Sequence, residues 1–250
     1  MQGVVVYIGD GGDPSRAEGL AGRLGAPVVS ASEAGRAPVA LRVDGAGLAL
    51  TGAGLELRPD LSSMLPRLRP DRLGRELLVR AARVKGEESP IAVDATAGLG
   101  EDALLLAAAG FTVHLFERDA VIAALLEDAL ARAAVIPALA GPVSRMRLAG
   151  TDSVEALPRL AFEPDVVYLD PMFPERRKSA AVKKKFQLLH RLERPCGDQD
   201  ALLASALAAG PRKVVVKRPA KGPLLAGVKP SYSLAGKAVR YDCIVPPPRA

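Results

Sequence analysis

The sequence predicts an α/β fold: an open parallel sheet with helices on both faces, preceded by a small N-terminal α/β appendage. Two observations carry this. From Ile91 onward, apolar strand-like runs at Ile91–Ala95, Thr112–Phe116, Arg145–Leu148, Asp165–Leu169 and Lys213–Lys217 alternate with helical patterns. Parallel neighbours need crossover connections, so successive β-α units of this length imply such a sheet. Before residue 60 the rhythm differs, with short strands predicted at Val4–Ile8, Val39–Val43, Leu48–Thr51 and Leu55–Arg58 and one helix at Pro14–Leu24. Glycine-rich turns separate them.

Three segments follow from this reading: 1–60 as the N-terminal α/β domain, 61–90 as a basic helical connector, and 91–250 as the main domain. The connector carries Arg67, Arg69, Arg72, Arg75, Arg80, Arg83 and Lys85, with Leu73, Leu77, Leu78 and Val84 at roughly helical spacing. Its charge suits either a phosphate contact or a solvated face. In the main domain, Asp102–Ala109 is a nearly all-apolar helix that Gly110 stops. Asp119 can cap the next helix, whose Ile122, Leu125, Leu126, Ala129, Leu130 and Ala133 keep the 3.6-residue period. Tyr232–Leu234 and Val239–Val245 read as an antiparallel pair closing the sheet.

Composition narrows the function classes. With 250 residues, 49% of them hydrophobic, the chain can bury a sizeable core. It has no apolar run of about 18 residues and no cleavable leader pattern, so a cytoplasmic protein without a membrane partner is expected. Cys196 and Cys243 lie far apart and lack zinc-site spacing, so neither a disulfide nor a metal is expected. The lack of Trp argues against single-strand stacking platforms. Residues 172–194 hold eight basic side chains against two acidic ones, a local excess equal to the +6 of the whole chain. A phosphate-rich partner would be drawn to that segment.

Two motifs carry chemistry. The first is Asp94-Ala95-Thr96-Ala97-Gly98-Leu99-Gly100-Glu101-Asp102, a strand running through a glycine turn into a helix. Gly98 and Gly100 let backbone approach a ligand. Taken alone, the glycine spacing also fits a dinucleotide fingerprint. Glu117, about 20 residues on, is placed to accept ribose hydroxyls. Asp94 precedes the glycines, where an acid suits the cationic amino-acid part of S-adenosylmethionine and has no task in binding pyrophosphate. Asp152-Ser153 falls where a loop beside adenine is expected, although Asp152 is equally suited to cap the helix after it.

The second motif is Val166-Val167-Tyr168-Leu169-Asp170-Pro171-Met172-Phe173-Pro174, in which a buried strand delivers an acid, a proline and an aromatic ring to the ligand edge of the sheet. An exocyclic base amine is a poor nucleophile because its lone pair is delocalised into the ring. Asp170 and the Pro171 carbonyl can accept its two hydrogens, and Phe173 can stack on an extruded base. An amino methyltransferase acting on a nucleic-acid base is the expectation. Transfer to DNA or a protein glutamine, a non-catalytic RNA-binding assembly factor, and a nicotinamide enzyme are the rivals.

These motifs, with Leu115-Phe116-Glu117-Arg118, Lys178-Ser179-Ala180, Val182-Lys183-Lys184 and Val214-Val215-Val216-Lys217-Arg218-Pro219, resemble the ribosomal RNA small subunit methyltransferase J family from about Val93 to Cys243. The resemblance implies a Rossmann-like class I methyltransferase sheet and N2-methylation of one defined guanine in 16S rRNA, on RNA or on the small ribosomal subunit. It implies cofactor contacts at Glu101, Asp102, Glu117, Arg118, Asp152, Ser153 and Asp170. Glu101 stands where the family usually has Arg, so a contact there would be through backbone. Arg176, Arg177, Lys178, Lys183, Lys184, Lys185, Lys217 and Arg218 are the expected RNA contacts, with pairing to acids on the sheet edge the alternative for Lys217 and Arg218.

Overall fold

The computed structural model describes residues 3–150, 152–171, 188, 189, 192 and 198–247. Two compact units form. One comprises Met1–Asp60, Asp119–Arg132 and Pro174–Arg194, the other Leu61–Arg118, Ala133–Phe173 and Pro195–Ala250.

The first unit holds a five-stranded sheet of β1 (Val4–Ile8), β2 (Val28–Val29), β3 (Val39–Asp44), β4 (Gly47–Gly52) and β5 (Leu55–Leu57), in the order β2-β1-β3-β4-β5. β1 pairs parallel with β2 and β3, and the rest is an antiparallel meander. The helix Pro14–Leu24 starts at Asp13, which accepts from Ser15 N at 2.9 Å, and carries Pro14 in its first turn. The two-residue β2 escaped prediction because so short a run carries no period.

Asp119 caps the helix Ala120–Ala134 as expected, accepting from Val121 N at 2.9 Å and Ile122 N at 3.0 Å. Within this unit the helix carries Asp128, whose side chain is 2% exposed and pairs with Arg16 and, at 2.8 Å, with Arg132. Arg132 also donates to Pro59 O at 2.6 Å. Asp128→Ala is expected to lower stability by about 1–3 kcal/mol, because both arginines lose their charged acceptor but can still reach water. Urea denaturation checks this; an unchanged midpoint contradicts it.

The second unit is a seven-stranded sheet of β6 (Ile91–Asp94), β7 (Thr112–Phe116), β8 (Met146–Gly150), β9 (Val166–Leu169), β10 (Lys213–Pro219), β11 (Tyr232–Ala235) and β12 (Val239–Ile244). Its order is β11-β12-β10-β9-β6-β7-β8. β6 to β10 run parallel, and β12 and β11 add antiparallel at the edge, as expected for the tail. The apolar run Val-Val-Tyr-Leu of β9 is buried at every residue because the strand lies between β10 and β6. Val93, Val167, Leu169, Val214 and Val216 join Leu202, Leu203 and Ala206 of the helix Gln199–Ala208 in one core. The helix Glu101–Ala108 is buried from Ala103 through Ala107.

The chain proceeds from β6 to β7 and β8 on one side, then returns to lay β9 on the other side of β6. The order therefore reverses between β6 and β9, and ligands bind at the carboxyl ends of strands at such a point.

Three local differences from the predicted elements have identifiable causes. The helical connector is broken into a 3-10 turn, Leu61–Met64, and three short helices, Leu65–Leu68, Pro70–Leu73 and Leu77–Ala82. Pro70 forces Arg69 out of the helical region, to ψ 140°. β8 runs on to Gly150 because a register shift at Leu115/Phe116 brings Phe116 opposite Gly150. β10 continues to Pro219 because β12 pairs with it as far as Val239. Among the described residues, no helix is long and apolar enough to cross a membrane.

Candidate active site

At the switch point, β6 leads into Asp94 and the glycine turn, and β9 leads into Asp170-Pro171. The turn is tied to both neighbours. Ala95 N donates to Tyr168 O at 3.0 Å and Ala97 N to Phe116 O at 2.9 Å. Gly98 and Gly100 have φ of 53° and 80°, left-handed values that cost a residue with a Cβ roughly 1–2 kcal/mol. A Cβ on Gly98 would meet only Thr96 O, at 3.9 Å, so a bound group can come close to the backbone there.

Acids surround this turn. Asp94 is 1% exposed, and its Oδ1 accepts from Thr96 N at 3.1 Å. Burial drives its carboxyl well above the usual carboxylate range, and the charges of Asp102, Asp170 and Glu117 push the same way. Glu117 follows β7 and accepts from Gly98 N at 2.8 Å, so the acid is fixed against the turn. Glu101 and Asp102 open the helix Glu101–Ala108. Arg118 is exposed. Asp152 caps the helix Ser153–Ala156, accepting from Val154 N at 2.9 Å, and Ser153 is buried beneath it.

Asp170 joins the two motifs. Its backbone N donates to Thr96 Oγ1 of the glycine turn at 2.7 Å. Its Oδ2 lies 2.9 Å from Lys217 Nζ, which also pairs with Asp102 Oδ2 at 2.7 Å. The same Asp102 oxygen accepts from the Tyr168 hydroxyl at 2.6 Å. Burial pulls the Lys217 ammonium towards its neutral form, but Asp102 and Asp170 outweigh it and raise its pKa. Burial raises the Tyr168 and Tyr241 hydroxyls as well, with Asp102 adding to both.

Two of the expected RNA contacts fall within the described residues. Two carboxylates hold the Lys217 ammonium at the sheet edge, the alternative to a phosphate contact. Arg218 is 1% exposed, and its Nε donates to Pro223 O at 2.7 Å. Alternation along β10 turns Arg218 inward, away from any exposed ligand. Pro171 is buried next to Asp170. Phe173, Arg176, Arg177, Lys178, Lys183, Lys184 and Lys185 lie outside the described residues, as do His190 and Cys196. His114 stacks on Phe162 at 4.4 Å between ring centres, a packing role.

Sequence reasoning gives acid pairing of Lys217 only as the alternative and names neither Asp102 and Tyr168 as its network nor Arg240. Arg240 donates to the carbonyls of Pro219, Ala220 and Gly222 at 3.0, 3.1 and 2.9 Å and so shapes the loop after β10. A lysine at the end of an apolar strand was the available signal. It becomes legible only once β10 is known to lie beside β9.

Comparison with known proteins gives this geometry a family. The family model described as "Putative SAM-dependent methyltransferase" matches residues 57–246. Ribosomal RNA small subunit methyltransferase J of Thioalkalivibrio sulfidiphilus is 43% identical over 238 residues, covering 92% of this chain and 92% of the relative. The chain belongs to the methyltransferase J family. The methyltransferase J of Neisseria gonorrhoeae is 40% identical over 206 residues, covering 81% of this chain and 82% of its own length. A crystal structure of a SAM-dependent methyltransferase from Neisseria gonorrhoeae superposes with a TM-score of 0.76 at 31% identity, over 96% of this chain and 95% of that one.

As a member of the methyltransferase J family, the chain is an S-adenosylmethionine-dependent methyltransferase. The residues at the turn fit that cofactor. Open backbone at Gly98 and the carboxylates of Asp94 and Glu117 make a donor and acceptor set for a nucleoside joined to a cationic amino acid. A pyrophosphate would meet repulsion from the same acids.

Proposed function

We propose that this methyltransferase modifies the exocyclic N2 of a guanine in 16S rRNA, in the cytoplasm, on RNA or on the small ribosomal subunit. The observation that carries the reading is the hydrogen bond from Asp170 N to Thr96 Oγ1. It joins an amine-accepting motif to the turn that suits the cofactor. When bound, S-adenosylmethionine supplies an electrophilic methyl group on a sulfonium.

The chain's own residues do the rest. Asp94 and the glycine turn hold the methionine portion, Glu117 the ribose hydroxyls, and the Asp152-Ser153 loop the adenine, with Glu101, Asp102 and Arg118 around them. Asp170 and the Pro171 carbonyl accept the two hydrogens of the guanine amine, which holds the nitrogen lone pair out of conjugation and aims it. Phe173 stacks on the extruded base. Asp170, or water beside it, takes the proton released after transfer. The basic run from Arg176 to Lys185 holds RNA phosphates. The names of the curated relatives support ribosomal RNA as the substrate.

Labelled cofactor offered in parallel to small subunits, naked 16S rRNA, DNA and protein extract tests this. Label in ribosomal RNA is expected; label only in protein or only in DNA overturns the reading.

The buried acid supplies a pH prediction. Because the Asp94 carboxyl titrates well above the ordinary range, it is neutral at low pH and loses its attraction for a cation. Affinity for S-adenosylmethionine should therefore fall as pH falls through the Asp94 titration, and Asp94→Asn should flatten the dependence. The linkage has the opposite sign for the chain without cofactor. A raised native pKa stabilises the fold most at low pH, and that contribution is lost as pH rises. Calorimetric titration across pH checks the affinity; a pH-independent Kd in the wild type contradicts the assignment.

A further inference from the structure

We propose that Lys217 is a positioning residue for methyl transfer, whose ammonium, seated between Asp102 and Asp170, sets the orientation of the Asp170 carboxylate towards the base amine. The inference rests on Asp170 being the amine acceptor.

Lys217 stands in β10 just beyond the end of β9, because Val216 pairs with Leu169 in the parallel register. Its Nζ reaches Asp102 Oδ2 at 2.7 Å and Asp170 Oδ2 at 2.9 Å, with side-chain exposures of 25% for Lys217, 17% for Asp102 and 37% for Asp170. The Tyr168 hydroxyl donates to the Asp102 oxygen that Lys217 uses, which fixes one end of the bridge in the buried layer. Tyr241, 4% exposed, stands opposite Lys217 in the β10–β12 register. The ammonium is thus held from its buried side, and its contact with the more exposed Asp170 transmits that order to the reacting edge.

A charged group in such a setting is costly to bury unless paired. One lysine satisfied by Asp102 alone would meet a purely structural need. The second contact reaches the carboxylate on which the amine geometry depends. Asp170 otherwise senses Asp94 from β6, Asp102 from the helix after the turn, Tyr168 from β9, Tyr241 from β12 and Arg218 from β10. Of these, the charges of the two acids, Asp94 and Asp102, disfavour an ionised Asp170, so losing Lys217 leaves it both freer to rotate and easier to protonate.

The test is steady-state methylation of 16S rRNA by wild type, Lys217→Met, Lys217→Arg and Asp170→Ala across pH, with cofactor affinity measured by calorimetry. Lys217→Met should keep the cofactor Kd and the RNA KM within about threefold while kcat falls roughly 30-fold, because aim rather than binding is lost. The acidic limb of its kcat profile should move up by about one pH unit, as a carboxylate does when a neighbouring cation is removed. Lys217→Arg should recover most of kcat and return the limb to its wild-type position. If Lys217→Met fails to fold, Asp102→Asn combined with Lys217→Met removes the orphaned acid, and a limb shift in the same direction, smaller because the Asp102 charge is lost as well, is expected of it. A normal kcat with an unmoved limb, or a rise in RNA KM alone, overturns the proposal while an inactive Asp170→Ala still upholds the amine-acceptor role. An active Asp170→Ala defeats that role instead.

Discussion

Asp170→Ala is expected to lower kcat by about a thousandfold, the scale of losing a preorganised group that acts only as the transition state forms. The Kd for S-adenosylmethionine should change no more than a few-fold. The asymmetry follows from the atoms involved. Truncation removes the carboxylate proposed to accept from the amine but leaves the backbone N of residue 170, which donates to Thr96 Oγ1 and keeps β9 joined to the glycine turn. Lys217 keeps Asp102 as a partner, and Tyr168 still donates to that acid. The turn should therefore survive while the chemistry does not. Single-turnover kinetics alongside calorimetry separates the two effects. Near-normal turnover by the variant would contradict the assignment.

Glu117→Ala should act in the opposite way, raising the cofactor Kd by roughly 100-fold with kcat at saturation within a few-fold. Two losses combine. Glu117 Oε2 holds Gly98 N at 2.8 Å, so truncation unpins a turn whose φ of 53° already lies in the left-handed region. It also removes the charged acceptor proposed for the ribose hydroxyls, and hydrogen bonds to a charged group contribute about 1.5–3 kcal/mol each. A total near 3 kcal/mol corresponds to about two orders of magnitude in Kd. Glu117→Gln keeps one acceptor oxygen and should fall between the two. An unchanged Kd in Glu117→Ala would remove this residue from the cofactor site.

The parts of this site that were legible in the sequence are those written in short local patterns. The glycine turn, Glu117 at the end of β7 and Asp170 at the end of β9 each follow a run of strand residues, so their position at one sheet edge follows from β-α alternation alone. The N-cap roles of Asp119 and Asp152 are equally local, because the bonds reach only two or three residues ahead. What escaped depends on which strands become neighbours. Lys217 and Asp102 are 115 residues apart in sequence yet 2.7 Å apart in space, and nothing near Lys217 distinguishes a phosphate contact from a clamp on carboxylates. The burial of Arg218 is hidden for a related reason. Taken as part of a basic pair it looks like surface, but the alternation of β10 turns successive residues to opposite faces. The leucines of the connector keep a helical period, whereas Pro70 interrupts the backbone without disturbing that pattern.

The most direct test is the position of the transferred methyl group on the nucleoside, determined by mass spectrometry of 16S rRNA digests after reaction with isotopically labelled cofactor. The acceptor pair proposed at Asp170 and Pro171 serves an amine with two hydrogens, and with guanine as the proposed substrate the expected product is N2-methylguanosine. Label on a ribose oxygen, a ring nitrogen or a base carbon would contradict it, because none of those atoms offers two hydrogens for the pair to hold.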